Sequence, residues 1–200
     1  MTSITTLTTK AVFSADGSKR FLFHKEWDIT KPMLTIIMLA PSDASGIELD
    51  STTLLVLNNT ARLGYGSVSI VNLFTTLNDF SLLSAEDEDI ENMEVILAEA
   101  KKCDTLVYAP GVGKSKNQAF QERSAQVLEV LTPFSKKLKC LSNSTGTVRL
   151  MHPLAPAVRT WYLRDLSIEE ALQISTNNTT KKTTKQKKNT KEKSSPASQK

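Results

Sequence analysis

The chain has little with which to hold a metal or a disulfide framework. Its 200 residues contain two cysteines, Cys103 and Cys140, and two histidines, His24 and His152. Neither a Cys-x-x-Cys nor a His-x-x-x-His spacing occurs. A structural zinc site, which draws four such ligands together, has almost none to spare here, and a zinc deaminase, which requires a Cys-x-x-Cys pair, is excluded. The cysteines sit beside expected strands and read as buried, reduced thiols. No metal and no cofactor is expected. Long apolar runs are missing too: the longest, around residues 33–41, is far too short to span a bilayer. Met1 to Thr9 is polar and Thr-rich, without the basic-then-apolar pattern of a signal peptide. A cytoplasmic location without membrane association is the default expectation.

Charge is present but uneven. The formal net charge is +4. Eight of the 25 basic residues and one of the 21 acidic ones lie in 176–200. The tail is therefore +7 and the remaining 175 residues are −3. A slightly acidic body does not suit a broad basic nucleic-acid groove. The tail is low-complexity Thr, Asn, Lys and Ser. It has too few apolar residues to offset its ordering entropy, so disorder is expected over 176–200.

The body, 1–175, suits one domain with one core. Residues 11–27 read as a β-hairpin, with Phe21 and Phe23 alternating after the turn signal Ala15-Asp16-Gly17-Ser18. The continuous apolar run over 33–40 suits a strand buried on both faces. A helix capped by Asp50 or Ser51 follows, with Leu54, Leu57 and Ala61 as its apolar face, closed by Gly64. A second strand covers 67–71. An acidic turn, 86–89, leads a helix whose apolar face is Ile90, Met93, Leu97 and Ala100. A third strand at 105–108 precedes a helix over 116–131 that Pro133 stops. A short strand at 138–141 and a last short helix within 158–173 complete the body. Strands alternating with helices imply βαβ units. The expected fold is α/β: a three-layer α/β/α sandwich with a central parallel sheet of about four strands (core 33–155) plus the N-terminal hairpin.

Ligands of such sheets bind beyond the carboxyl ends of the strands. Four loops lie there: 41–50, 72–79, 110–115 and 146–154. Gly111-Val112-Gly113-Lys114-Ser115 resembles the end of a phosphate-binding P-loop, but the required first Gly is replaced by Tyr108. Backbone N–H groups of Gly111 and Gly113 can still face an anion at a helix start; the other reading is a Gly-rich turn. His152, in a Pro-flanked loop, can donate to a carbonyl or phosphate, or serve the structure alone. Asn72 ends a strand and offers both donor and acceptor to a ligand edge, or else bonds its own loop. Asp50 is most simply a helix cap. Asp43 is a loop carboxylate. Ser42 has no partner spacing that marks a nucleophile.

The ordered set Arg20-Phe-Leu-Phe-His-Lys-Glu-Trp27, Met38-Leu-Ala-Pro-Ser42, Leu49-Asp-Ser-Thr52, Gly64-Tyr-Gly66, Asn72-Leu-Phe74 and His152-Pro-Leu154 resembles the bacterial and phage family called domain of unknown function 1643. The resemblance covers about residues 11–155. Three positions depart from that family's pattern. Ala40 stands where Asn is usual, Ser51 replaces the Pro of Asp-Pro-Thr, and Tyr108-Ala-Pro-Gly111 stands where Trp-Gly is expected. A side-chain amide contact from position 40 cannot be made here.

More distantly, the layout is similar to the uracil-DNA glycosylase superfamily. That similarity implies a base-reading role for Asn72, a last loop at His152-Pro153, and a first-loop acid nearest to Asp43. The candidate catalytic residues are then His152, Asp43 and Asp50. Candidate ligand contacts are Pro41, Ser42, Asn72, Phe74, Gly111 and Gly113. In this reading His152 stabilises charge on a leaving base, and Asp43 or Asp50 orients water or supports an oxocarbenium-like sugar. Phe74 stacks on the base or, more simply, packs in the core. The implied partner is a nucleobase, nucleotide or nucleic acid. The function expected first is a glycosylase-like domain. The second is a non-catalytic binder of the same ligand class, and the third a phosphate-binding enzyme, which Tyr108 opposes.

Overall fold

The computed structural model describes residues 4–42, 47–77, 90–111, 113, 117–146 and 150–177. Asp43, the acidic turn at 86–89, Lys114, Ser115 and residues 178–200 lie outside the described residues.

The chain forms a mixed α/β fold around one seven-stranded sheet. In chain order its strands are β1 (Thr8–Phe13), β2 (Arg20–Glu26), β3 (Met33–Met38), β4 (Ser67–Asn72), β5 (Thr105–Tyr108), β6 (Leu138–Ser142) and β7 (Tyr162–Asp165). Across the sheet the order is β1-β2-β4-β3-β5-β6-β7. β3 pairs in parallel with both β4 and β5, and β5 with β6. The hairpin does not stand apart from this core. β2 pairs antiparallel with β4, Phe23 opposite Ile70, and so carries the sheet outward to β1.

The apolar run of β3 fits its central place, covered on both faces, and β4 beside it is buried along its whole length although Ser67, Ser69 and Asn72 are polar. Leu34, Ile36 and Met38 join Val68, Ile70 and Val107 in the core on one face. Ile37, Val71, Leu106 and Tyr108 join the core on the other. Helix α1 (Ser51–Arg62) adds Val56 to the first core. Helices α2 (Ile90–Lys102), α3 (Gln118–Val130) and α4 (Ile168–Asn177) pack on the second.

Three local expectations are corrected. First, the helix expected within 158–173 begins only at Ile168, and Tyr162–Asp165 form β7, antiparallel to β6. Trp161, fully buried just before β7, pins this turn into the core. Second, α1 buries Thr53, Val56, Asn59 and Thr60, while Leu54 is exposed. Backbone hydrogen bonding rather than hydrophobicity turns the helix. Asn59 Oδ1 accepts from Trp161 N at 3.0 Å, and its Nδ2 donates to Arg159 O at 3.0 Å. Third, α2 buries Asn92, Ile96, Glu99 and Ala100, and leaves Ile90 exposed. Asn92 Nδ2 donates to Asn72 O at 3.0 Å, so a polar residue occupies the inner face.

Candidate functional site

The loops leaving β3 and β5 lead to α1 and α3, on opposite faces of the sheet. Such divergence opens a crevice at the carboxyl edge between the two strands. A cavity of about 430 Å³ lies there. Leu39 lines it from the end of β3, Pro110, Gly111 and Gly113 from the end of β5, and Met151, His152 and Ala155 from the loop after β6. The size suits a small-molecule site. Among the described residues lining it, only His152 can carry a charge.

The ring geometry of His152 fixes its chemistry. Its Nδ1 accepts from the Leu154 N–H at 3.2 Å. The ring proton of the neutral form is thereby assigned to Nε2, which is left as a donor. Burial lowers the pKa of His152, and the charge of Asp50 works in the opposite direction. Gly111 makes room for this histidine. It adopts φ +79°, and a β-carbon there would lie 3.1 Å from the β-carbon of His152. Leu150 carries a φ of +42°, uncommon for a branched residue. Its fully buried side chain anchors that conformation two residues before His152.

The first loop is held from both sides. Pro41 is buried. Arg20, only 1% exposed, donates from a terminal guanidinium nitrogen to Ser42 O at 3.0 Å, and its guanidinium carbon lies 5.1 Å from the Phe23 ring centre. Ser42 Oγ donates to Asp50 Oδ2. Asp50 caps α1. Its Oδ1 accepts from Thr52 N at 2.6 Å and Thr53 N at 2.9 Å, and its Oδ2 from Thr53 Oγ1 at 2.9 Å. Burial pushes this carboxyl up, but the hydrogen bonds from Ser42, Thr53 and Thr52 outweigh it and hold the pKa below its ordinary value. Asp50 is thus an ionised cap with its oxygens engaged, at a distance from which its charge still acts on His152.

Asn72 ends β4 beside Met38. It is 1% exposed, and its Nδ2 has no hydrogen-bond partner among the described residues. Leaving a buried amide donor unsatisfied costs about 1–3 kcal/mol. The backbone around it is fully used: Asn72 O accepts from Asn92, and Leu73 O accepts from Arg123 Nε at 2.9 Å. Phe74 packs against the core, and its N–H donates to Leu39 O at 2.9 Å.

The structure therefore brings His152, Gly111 and Gly113 to the cavity, and Ser42 and Asp50 into one network beside it. Asn72 sits one strand away, next to the β3 end that supplies Leu39. Asp43 lies outside the described residues. The P-loop reading fails structurally, because Tyr108 is the fully buried last residue of β5. Asn117 caps α3 instead, its Oδ1 accepting from Phe120 N at 3.1 Å. The supporting roles of Arg20, Asn92 and Arg123 were not anticipated. Their signal was a polar residue on an otherwise apolar strand or helix face. Among the described residues, no three His, Cys, Asp or Glu side chains gather as metal ligands do, and no helix is long and apolar enough to cross a membrane.

Fold and cavity together define a mixed α/β protein with a small-molecule-sized crevice at the carboxyl edge of its sheet. Residues 20–154 match the family described as "Protein of unknown function (DUF1643)", and the chain belongs to that family. The matched stretch opens on Arg20 and closes on Leu154, which spans every residue of the cleft except Ala155. Searches of curated proteins and of solved structures match nothing.

Proposed function

We propose that the domain is a three-layer α/β/α sandwich about four parallel strands, acting in glycosylase-like fashion on the base of a nucleotide or nucleic acid. The observation that carries this reading is Asn72: a fully buried side-chain amide whose Nδ2 has no partner among the described residues, at a strand's carboxyl end. A donor left unsatisfied in a native fold calls for an explanation, and a carbonyl oxygen of a heterocycle provides one. His152 supports it with a neutral imidazole whose Nε2–H remains to stabilise charge on a departing base. Among the described residues the lining is uncharged when His152 is neutral, which suits a neutral ring.

The test is titration of the full chain with nucleobases, nucleosides, nucleotides and single-stranded DNA. Binding is followed by calorimetry or NMR shifts, and released base is measured by chromatography. Binding that is lost in Asn72→Ala, together with released base, supports the reading. Failure of every ligand to bind overturns it.

A second reading, binding without chemistry, is favoured by one observation. The carboxylate of Asp50 is engaged as a cap and is not poised over the cavity. Tight binding with no released base would decide for it.

A further inference from the structure

Two helices converge on the carboxyl end of β4. Asn92 on α2 donates from Nδ2 to Asn72 O at 3.0 Å and to Leu73 O at 3.4 Å. Arg123 on α3 donates from Nε to Leu73 O at 2.9 Å. Both side chains are buried. The N–H side of the same backbone is tied to β3. Leu73 N–H donates to Met38 O and Phe74 N–H to Leu39 O, each at 2.9 Å. Asn72 O and Leu73 N belong to one peptide unit, and Leu73 O and Phe74 N to the next. Each of these two successive peptides is therefore held at its oxygen and at its nitrogen. One of the β3 anchors, Leu39, is a wall of the cavity.

Side chains alternate along a strand. Val71 and Leu73 lie in the core that α2 and α3 cover, whereas Val68 and Ile70 lie in the core that α1 covers. The Asn72 amide thus projects toward the α1 face, and the bonds from Asn92 and Arg123 reach its backbone from the other. Asn92 makes them at a cost, because its own Oδ1 is buried without a partner among the described residues. A buried polar group kept on such terms calls for a use. We propose that Asn92 and Arg123 are positioning residues, a clamp that fixes the two peptides after Asn72 and so preorganises its amide against the wall at Leu39. The clamp rests on the reading of Asn72 as the residue that contacts the base. A contact group has to be held to within about 0.5 Å by the shell behind it, and a doubly anchored pair of peptides supplies that shell.

The experiment compares Arg123→Met, Arg123→Gln and Asn92→Ala in the full chain. Glutamine carries an N–H donor at the same place along its side chain as arginine Nε, and methionine fills that length without one. Any role of the guanidinium charge, or of its bond to Gln126, is lost in both. The first readout is ¹⁵N relaxation of the Asn72 side-chain amide, which needs no ligand. The second is binding of the four ribonucleosides by calorimetry. Order of the Asn72 amide should fall in Arg123→Met and Asn92→Ala and be kept in Arg123→Gln. Nucleoside affinity should fall by up to about 100-fold in the first two alone. An amide as ordered as the wild type's in Arg123→Met and Asn92→Ala, or equally loosened in Arg123→Gln, would overturn the clamp. If no nucleoside binds the wild type, the proposed function fails, and the amide order still decides for or against the clamp.

Discussion

Gly111 leaves no room for a side chain beside His152. A side chain at position 111 would press its first carbon to 3.1 Å from the β-carbon of His152, and φ at Gly111 is +79°. Gly111→Ala should therefore destabilise the fold by about 1–3 kcal/mol through backbone strain and displace the His152 loop. Denaturant unfolding gives the first quantity, and the His152 ring resonances report the second. Unchanged ring resonances would mean that the loop adjusts elsewhere.

Asn72→Ala should separate ligand from fold. Its Nδ2 has no partner among the described residues, so thermal stability should change little while nucleobase binding is lost. His152→Ala should show the same split. Equal, large losses of melting temperature in both variants would make the two residues structural.

Asp50→Ala should cost about 0.5–2 kcal/mol as a lost helix cap. The pH sign follows from its depressed pKa. The cap stabilises the fold above the unfolded carboxyl pKa, and this contribution disappears as pH falls through the folded value. Urea midpoints between neutral and acid pH, in wild type and variant, should converge at the acid end.

Asp50→Asn should lower the His152 pKa further, because the charge that raises it has gone. An NMR titration of His152 reads this directly. An unmoved midpoint would remove Asp50 from the electrostatics of the cleft.

Truncation after Asn177 removes a segment carrying eight Lys and one Glu. If single-stranded DNA binds, the truncated chain should bind it more weakly and with a shallower salt dependence, with base preference unchanged. An identical salt slope would assign the tail no part in binding.

Elements were more legible in the sequence than faces. β3 announced itself as an apolar run, and the Asp50 cap was evident from residue type and place. The faces of α1 and α2 were not, because Asn59 and Asn92 turn inward to satisfy distant backbone groups, and periodicity counts only apolar residues. β7 was missed because four exposed or partly exposed residues carry almost no pattern, and what places them is pairing with β6 and the buried Trp161 just before them. Of the cleft, His152 and the Gly111 turn could be read from composition and order. Leu39, Met151 and Ala155 could not, since an ordinary apolar residue becomes a wall only once the sheet order is known.

That order also sets when the cavity comes into being. Leu39, Gly111 and His152 are about 70 and about 40 residues apart along the chain. Their contacts are non-local, and closing such loops is slow and comes late in folding. A partly folded chain, or one still missing its residues beyond β6, has no pocket to fill. Any ligand of the cavity therefore recognises the completed sheet alone and stabilises it by mass action. Occupancy of the site would then measure how much of the population has finished folding.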